Sequence, residues 1–295
     1  MMTNRIDLKA KHVLITGAGT GIGRAISEAL AVADMRVIAC VRKEADLTAL
    51  NRMTNITALS MDVTSIHDIK AVMNYLVERN IQLHALINNA GIAVGGPMLY
   101  LPESELRACL EVNTIAPVNV IRELFPCMVE GGVIINMSSM GARYVTPWMA
   151  PYHMSKYALE AYSGSLRMEL APFNVQVVVI EPGAIFTEAR NKEERFIKFM
   201  RDTIYWEAFQ HYWAMISEQH EHALSPQKVV DVVLKVLQNP KPKKRYLIPH
   251  RPIVRLVILL SLLGLSDLIY ERFLKDVKKV PPGSLLRERE KSRDP

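Results

Sequence analysis

Short apolar runs rich in valine and isoleucine alternate with longer amphipathic stretches over the first 250 residues of the chain. The runs lack an apolar/polar alternation of their own, which is typical of strands buried on both faces of a parallel sheet. The stretches between them are long enough to return the chain as a crossover helix. We therefore expect an α/β fold with a doubly wound, parallel, seven-stranded sheet. The predicted strands are His12–Thr16, Arg36–Val41, Ile56–Met61, His84–Asn88, Val133–Met137, Val175–Ile180 and Arg245–Ile248.

The stretches between the predicted strands carry helix signals. Ser65 and Ser225 are suitable N-caps, and Pro226 suits the first position of a helix. We expect helices near Gly21–Ala33, Ser65–Glu78, Glu103–Met128, Tyr152–Leu170 and Ser225–Gln238.

Two segments depart from the alternation. Residues 188–222 form an insertion rich in aromatic residues and methionine, too long for an ordinary strand-to-helix connection. Residues 256–265, LVILLSLLGL, are apolar on nearly all sides. As a helix they would span about 15 Å, half of a bilayer's hydrocarbon core, so no transmembrane span is expected. We predict a sheet domain at 1–250, with the insertion at about 188–222, and a basic and apolar helical extension with a loose tail at 251–295.

The net charge of +6 is concentrated in one short segment. Six basic residues and no acid lie between Asn239 and Arg255. Such a segment beside an apolar helix predicts contact with an anionic membrane surface through residues 239–275. A helix that covers a binding site or forms a subunit interface is an equally good interpretation. No element that could recognise nucleic acid accompanies the charge.

The cysteines and the N-terminus indicate the compartment. Three cysteines without a Cys-x-x-Cys pair argue against a disulfide framework and a zinc ribbon. The polar N-terminus lacks a signal-type apolar stretch, so a cytoplasmic location is expected. No metal site is expected either, because His211, His220 and His222, with the nearby Glu218 and Glu221, lack metal-ligand spacing.

A glycine-rich turn, TGAGTGIG, follows the first predicted strand at residues 16–23. Glycines here let the backbone approach a pyrophosphate at the positive N-terminus of the next helix. The spacing is neither G-x-G-x-x-G nor that of a P-loop. The turn therefore predicts a dinucleotide site, with a glycine-rich turn that binds no ligand as the alternative.

The end of the second predicted strand bears on the choice of dinucleotide. An acid there would bind the ribose 2′-hydroxyl of NAD, whereas a base would accommodate the 2′-phosphate of NADP. The strand ends in Cys40-Val41-Arg42-Lys43, with no acid until Glu44. Arg42 therefore favours NADP(H) over NAD(H), unless it is an ordinary surface arginine.

Tyr152 and Lys156 are spaced to share one face of a predicted helix. A tyrosine pKa of about 10 is too high for efficient proton exchange at neutral pH, and a nearby ammonium stabilises the phenolate. Such a pair also recurs by chance. Further polar and glycine residues fall near the same carboxyl edge of the predicted sheet, where ligands bind in such folds. They are Asn88-Asn89-Ala90-Gly91, Asn113, Ser138-Ser139 and Pro182-Gly183.

In this combination, residues 11–248 resemble the short-chain dehydrogenase/reductase family, in its shorter single-domain branch. The motifs TGAGTGIG, NNAG, Asn113, Ser139, Tyr152-x-x-x-Lys156 and PGAIFT occur in family order. The insertion and the basic C-terminal segment look most like hydroxysteroid and retinol dehydrogenase-like members. The resemblance implies a Rossmann-type sheet flanked by helices, with a helical lid at the insertion and an apolar C-terminal helix.

The resemblance also implies roles for individual residues. Tyr152 would exchange a proton with the substrate oxygen, and Ser139 would hold that oxygen. Lys156 would lower the Tyr152 pKa and bind the nicotinamide ribose, and Asn113 would support a water beside Lys156. Thr20 stands where many NADP-using relatives have a base, so Arg42 would carry the selectivity. The implied cofactor-binding residues are Gly17, Gly19, Thr20, Gly21, Ile22, Gly23, Arg42, Asp62, Val63, Asn89, Ala90, Gly91, Tyr152, Lys156, Pro182, Gly183 and Thr187.

The sequence thus predicts an oxidoreductase that moves a hydride between NADP(H) and a hydrophobic carbonyl or secondary alcohol. The aromatic insertion favours a steroid, a retinoid, or a fatty aldehyde or ketone as substrate. One alternative is a 3-oxoacyl thioester reductase, although the extension past Ile248 argues against it. Another is a dinucleotide-binding regulator without catalysis, which would not need all four of Asn113, Ser139, Tyr152 and Lys156. The resemblance further implies a homodimer or homotetramer.

Overall fold

The computed structural model describes residues 5–186, 197–220 and 223–265, with three single positions at 271, 274 and 277. Its centre is a parallel seven-stranded sheet in the order β3-β2-β1-β4-β5-β6-β7. The predicted fold class is therefore confirmed. The strands are β1 (His12–Thr16), β2 (Arg36–Val41), β3 (Ile56–Ser60), β4 (Leu83–Asn88), β5 (Met128–Met137), β6 (Gln176–Pro182) and β7 (Arg245–Ile248).

Helices cover both faces of the sheet, and each face has its own apolar core. One core packs Ile26 and Leu30 against the sheet, and the other packs Ile69 and Val120 against it. The described helices are α1 (Gly21–Val32), α2 (Glu44–Asn51), α3 (Ile66–Glu78), α4 (Glu103–Leu110), α5 (Ala116–Leu124), α6 (Ala150–Glu169), α7 (Trp206–His220), α8 (Gln227–Leu237) and α9 (Ile253–Leu262).

The order of the strands creates a crevice. The chain moves outward from β1 to β3, then crosses back to place β4 on the other side of β1. The connections that leave β1 and β4 run to opposite faces of the sheet, so the carboxyl ends of these two strands mark the point where ligands bind in such folds. The glycine turn and the NNAG motif follow these two strands, which places them at the crevice.

Beyond shifts of one or two residues at strand ends, the structure differs from the predicted elements in three places. The single helix expected over Glu103–Met128 is α4 and α5 joined by a π-helical turn at Glu111–Ile115. Strand β5 begins at Met128 rather than Val133, and its pairing with β4 is irregular between Met128 and Val133, where Gly131 has a φ of 75°. Helix α2 was missed because only Leu50 of its eight residues is buried, which leaves almost no periodic apolar signal.

The capping predictions were largely right. Ser65 caps α3, where its Oγ accepts a hydrogen bond from Asp68 N at 3.2 Å. At α8 the helix begins one residue later than expected, with Pro226 as the flanking residue. Ser225 Oγ still accepts from Gln227 N at 3.2 Å, so it satisfies one of the free amides of that helix start.

The insertion and the C-terminal extension are described in part. Helix α7 belongs to the insertion, and α9 follows β7. Residues 187–196 and 221–222, and most of 266–295, lie outside the described residues, and the predicted loose tail is among them. Within the described chain, no helix is both long and apolar enough to cross a membrane.

Candidate active site

The glycine turn joins β1 to α1 by a tight path. Gly17 and Gly21 have φ values of 64° and 56°, a region that side chains with a Cβ rarely adopt. A Cβ on Gly17 would lie 2.8 Å from Ala90 Cα, so the turn and the NNAG loop touch backbone to backbone. A larger residue at this position would push the two loops apart.

Thr16 and Asn89 lock these two loops together. The Thr16 hydroxyl accepts hydrogen bonds from the amides of Asn89 and Ala90, each at 3.0 Å. Asn89 Nδ2 donates in return to Thr16 O at 3.0 Å and to Gly17 O at 3.1 Å. Sequence analysis included Thr16 in the glycine-rich motif but assigned it no role of its own.

The start of α1 is suited to an anion. Thr20 makes no side-chain capping hydrogen bond, and the first turn of α1 contains no acidic residue. The N-terminal amides and the positive end of the helix therefore suit a dinucleotide pyrophosphate. One acidic side chain lies close to this helix start: the carboxylate of Asp46 in α2 packs against Gly19. Ile22 packs into the core beneath the turn, so its side chain anchors the helix start.

The adenosine side of the crevice lies at the ends of β2 and β3. Arg42 is exposed, and its Nη1 lies 3.9 Å from Asp62 Oδ2. Asp62 Oδ1 accepts hydrogen bonds from the amide of Thr64 at 2.9 Å and from its hydroxyl at 2.7 Å. Val63 is buried. A base and an acid thus flank the place where a ribose 2′ substituent would lie in this fold.

Asn113 lies in the π-helical turn and is fully buried. The turn adds a residue to the helix and carries the Asn113 side chain toward the sheet edge. There its amide makes two 2.8 Å hydrogen bonds with the backbone of Ile92, beside Gly91, and donates to Ser155 Oγ at 3.0 Å. Ser155 Oγ donates to Tyr152 O at 2.7 Å. Asn113 therefore connects the NNAG loop to the helix that carries Tyr152 and Lys156.

Ser139 and Tyr152 meet at the end of β5. Ser139 Oγ accepts from Gly141 N at 3.0 Å, which fixes the serine at the start of a short 3₁₀ turn. Burial raises the pKa of the Tyr152 phenol above its usual value, while a hydrogen bond with Ser139 lowers it in part. Ser138, by contrast, is buried beside Glu160. The structure thus brings Ser139, rather than Ser138, to the tyrosine.

Lys156 lies one turn after Tyr152 on α6. Its Nζ donates to Met137 O at 2.9 Å and stands 5.8 Å from the centre of the Tyr152 ring. Burial lowers the Lys156 pKa to about 8, partly opposed by Cys109 and Glu160. At neutral pH the ammonium is retained, yet burial still keeps the Tyr152 pKa above its usual value.

His153 braces the same region and was not singled out from the sequence. Its Nε2 accepts from Thr146 N at 3.1 Å, so Nδ1 carries the proton and donates to Gly141 O at 2.7 Å. Burial lowers the His153 pKa, which keeps the ring neutral in this arrangement. Its signal in the sequence was only its place next to Tyr152.

A buried ionic network lies behind the site and was also missed. Glu181, at the end of β6, is 1% exposed and accepts from Arg143 Nε at 2.8 Å. Arg245 of β7 contacts Glu181 at 3.0 Å and Glu160 at 2.6 Å. The carboxyl groups of Glu160 and Glu181 hydrogen bond to each other. The four side chains come from four separate segments, so no local motif could have revealed them.

The loop after β6 closes the far side of the crevice. Gly183 N donates to Ile248 O at 2.9 Å, and a Cβ on Gly183 would lie 2.6 Å from both His250 Nδ1 and Met140 Cε. Pro182 is buried at the strand end. Thr187, predicted to contact the nicotinamide carboxamide, lies outside the described residues.

The described part of the insertion forms an aromatic cluster over this edge. Trp148, in the loop before α6, makes edge contacts with Tyr205, Phe209 and Tyr212, at ring-centre distances of 5.2 to 6.2 Å. Phe209 and Tyr212 are almost fully buried. The cluster joins the insertion to the loop that leads into the Tyr152 helix.

A protein-family model described as short chain dehydrogenase matches residues 11–197, which is more than half of the chain. The chain is a short-chain dehydrogenase. Like the reductases and dehydrogenases of this family, it is an oxidoreductase that acts on alcohol or ketone groups. The family resemblance predicted from the sequence is confirmed.

Two curated relatives of this short-chain dehydrogenase match over most of their length. An NADPH-dependent 3-dehydrocapnine reductase of Ornithobacterium rhinotracheale is 29% identical over 92% of the chain and 98% of the relative. A 3-ketodihydrosphingosine reductase of Bacteroides thetaiotaomicron is 28% identical over 81% of the chain and 87% of the relative.

Solved structures of the family include complexes with both dinucleotides. A short chain dehydrogenase from Burkholderia cenocepacia in complex with NADP is 25% identical, with a TM-score of 0.69 over 92% of the chain and all of that protein. A family member from Burkholderia phymatum in complex with NAD shares the fold, with 20% identity and a TM-score of 0.72 over 94% of the chain and 99% of that protein. The short-chain dehydrogenase therefore has a dinucleotide-binding fold for which both cofactors are represented.

Proposed function

We propose that this short-chain dehydrogenase transfers a hydride between NADP(H) and a bulky apolar ketone, aldehyde or secondary alcohol. The observation that carries the proposal is the meeting of Ser139 and Tyr152 one turn before Lys156, with Asn113 bonded to the same helix. Side chains from the end of β5, the π-helical turn and α6 are thereby held at the carboxyl edge of the sheet, where this fold binds its ligands.

In this proposal Tyr152 exchanges a proton with the substrate oxygen. Ser139 donates a hydrogen bond to the same oxygen and holds it beside the phenol, stabilising charge that develops there. Lys156 places a positive charge near Tyr152 and binds the ribose of the cofactor. Asn113 positions the helix through Ser155, and would also hold a water beside Lys156. The bound nicotinamide supplies or accepts the hydride.

The crevice fits a dinucleotide by its own chemistry. The uncapped start of α1, at Gly21, Ile22 and Gly23, would bind the pyrophosphate, with Gly17, Gly19 and Thr20 in the turn before it. Asp62 and Val63 would contact the adenine, and Asn89, Ala90 and Gly91 the ribose. Pro182, Gly183 and Thr187 would lie against the nicotinamide.

We propose NADP(H) rather than NAD(H) because Arg42 is exposed at the end of β2, where a guanidinium can bind a 2′-phosphate. Asp62 lies 3.9 Å from Arg42 and Asp46 stands over Gly19, so two acids oppose this preference. Arg42 must therefore turn from Asp62 to the phosphate. The NADPH dependence named for one relative agrees with this choice.

The aromatic cluster supports an apolar substrate. Trp148, Phe209 and Tyr212 bring the insertion against the loop before α6, so the substrate would enter beneath a largely apolar lid. The two curated relatives are named as reductases of 3-dehydrocapnine and 3-ketodihydrosphingosine. We propose a fatty ketone or aldehyde, a steroid or a retinoid as the substrate class.

The experiment is a substrate panel with both NADPH and NADH. It should include 3-ketodihydrosphingosine, a steroid ketone, retinal, a fatty aldehyde and a 3-oxoacyl thioester. We expect NADPH oxidation with at least one apolar carbonyl, and little with the thioester. If the thioester is the preferred substrate, the 3-oxoacyl reductase alternative is correct.

Two variants test the mechanism. Tyr152→Phe should keep NADPH binding but lose nearly all turnover, because the proton donor is removed. Tyr157→Phe is the matched control, since this tyrosine lies on the same helix with its side chain exposed. Unchanged kcat in Tyr152→Phe would refute the assigned role, and binding of NADPH without turnover of any carbonyl would favour a regulator.

We also propose a cytoplasmic enzyme that pairs into a homodimer or homotetramer and touches a membrane surface peripherally. An apolar substrate partitions into lipid, so an enzyme for it gains from access to a membrane. The oligomer would form through the helices that carry Glu103 and Tyr152. Sedimentation of the purified chain measures its oligomeric state.

A further inference from the structure

Helix α9 presents an exposed apolar face. Of its ten residues, Ile253 to Leu262, only Val254 is buried. Leu256 and Leu259 are about half exposed, at 48% and 52%, and Leu262 is 73% exposed. These three lie at helical spacing on one side, and Leu263 continues the face just past the helix end. Exposed leucines grouped in this way mark an interaction surface rather than ordinary solvent-facing residues.

Basic residues border this face and no acid accompanies them. The chain contains no aspartate or glutamate from Asn239 to Ser266. Arg255 lies four residues before Leu259 and therefore on the same side of α9, and Arg251 precedes the helix. Lys241, Lys243 and Lys244 are exposed before β7. Within the described part of the chain, none of these five cations has an ion pair, whereas Arg245 is held by Glu160 and Glu181.

The position of α9 connects this surface to the candidate active site. Gly183 N donates to Ile248 O at the end of β7, and Ala184 N donates to His250 Nδ1 at 3.3 Å. Helix α9 begins three residues after His250. The loop that closes the nicotinamide side of the crevice is therefore bonded to the segment that leads into the exposed leucines.

We propose that the leucine face of α9, with its flanking arginines and lysines, docks on an anionic lipid surface. The leucines enter the boundary of the acyl chains, and the cations contact the phosphate and carboxylate headgroups. A second copy of the chain fits this face less well, since a symmetric pair would bring Arg255 and its neighbouring cations against their own copies. Docking would bring the loop after β6 close to the membrane, where an apolar substrate of the proposed function is dissolved.

The test is co-sedimentation of the full chain with vesicles. One set contains phosphatidylcholine with about 30 mol% phosphatidylserine, and the other contains phosphatidylcholine alone. We expect binding to the anionic set at low salt, weaker binding at high salt, and little binding to the neutral set. No binding to anionic vesicles at low salt would overturn the proposal.

Two double variants locate the contact. Leu256→Gln with Leu259→Gln should reduce binding at least tenfold, and Arg251→Gln with Arg255→Gln about 25-fold, at roughly fivefold for each cation. The controls carry equal changes at exposed positions elsewhere: Val32→Gln with Met168→Gln, and Lys70→Gln with Lys228→Gln. If the α9 variants bind like the controls, the surface is wrongly assigned.

Two further measurements separate the outcomes. Size-exclusion chromatography with light scattering detects a subunit interface, and dissociation of an oligomer by the leucine variant, without loss of lipid binding, would refute docking. The docking proposal rests on the proposed function, since membrane contact helps only an enzyme with an apolar substrate. NADPH oxidation is therefore also measured with a short, water-soluble ketone, which does not need a membrane. The α9 variants should retain this activity, so lipid binding and catalysis can fail independently.

Discussion

Replacement of Glu181 by glutamine should stabilise the protein at alkaline pH. Glu181 is 1% exposed and shares a hydrogen bond with the carboxyl group of Glu160. Burial and the neighbouring carboxylate raise the pKa of Glu181 from its usual 4.5 to about 7, although Arg143 opposes the change. Two adjacent buried carboxyl groups hold one proton between them more readily than they both ionise.

The sign of the pH dependence follows from this shift. The unfolded chain releases the Glu181 proton near 4.5, whereas the folded chain keeps it until about 7. The folded state therefore binds more protons between these values, and the free energy of unfolding falls as the pH rises through the window. At 1.36 kcal/mol for each pKa unit, the loss is about 3 kcal/mol. The Glu160 pKa is lowered instead, and its own contribution is lost only as the pH falls below its usual 4.5.

Glutamine reproduces the protonated form of Glu181 at every pH. Its amide can donate to Glu160 and its oxygen can accept from Arg143. We therefore expect equal stability of the variant and the parent near pH 5, and a variant that is more stable by about 2–3 kcal/mol at pH 8.

Urea unfolding followed by circular dichroism at several pH values between 5 and 8 measures this difference. Glu130→Gln, a change at an exposed carboxylate in the outer part of β5, is the control and should follow the parent. A stability difference between Glu181→Gln and the parent that does not change with pH would refute the shared proton. A variant that is less stable at pH 8 would show that both carboxylates are ionised and bound by the arginines.

Two further predictions concern the cofactor and the helix that carries the active site. Arg42→Ala should weaken NADPH binding about 10- to 100-fold and leave NADH binding unchanged, because only NADPH has the 2′-phosphate. Isothermal titration calorimetry with both cofactors measures the two affinities, and an equal loss for both would contradict the role assigned to Arg42. Asn113→Ala should lower the free energy of unfolding by about 3 kcal/mol, since it removes two hydrogen bonds to Ile92 and one to Ser155. Denaturant unfolding measures the loss, and a change below about 1 kcal/mol would show that Ile92 and Ser155 find other hydrogen-bond partners.

Sequence patterns predicted most of the strands and helices correctly, but they predicted only part of the candidate active site. Strands β1, β2 and β7 have the predicted bounds. For β1 and β2 the reason is that Val- and Ile-rich runs between helical stretches can be buried only in a central sheet, whereas β7 is an edge strand in which only Ile248 is buried. Helix α2 and the π-helical turn were not predicted from the sequence. The first buries only Leu50, and the second differs from α-helix by one inserted residue without a change in composition.

In the candidate site, too, some residues could be recognised from the sequence and others could not. Gly17, Ser139, Tyr152 and Lys156 stand in motifs whose spacing can be recognised along the chain. Thr16 stands first in the glycine-rich motif, but the motif does not reveal that its hydroxyl holds the NNAG loop. His153 belongs to no motif, although it hydrogen bonds to Gly141 in the loop after Ser139. Their roles depend on which loops lie next to each other, and this is set by the order of strands in the sheet.

The sequence by itself determined the α/β class, the family and the chemistry of the reacting groups, because periodicity and short motifs encode burial and local backbone conformation. Tertiary structure alone decided that Arg143, Glu160, Glu181 and Arg245 form one buried network, that Asn113 holds the Tyr152 helix, and that the leucines of α9 face outward. Each of these depends on segments distant in the chain, which the packing of β5, β6 and β7 brings within hydrogen-bonding distance or leaves uncovered. The sequence alone showed the concentration of positive charge between Asn239 and Arg255. Only the structure showed that this charge lies beside the exposed leucines of α9.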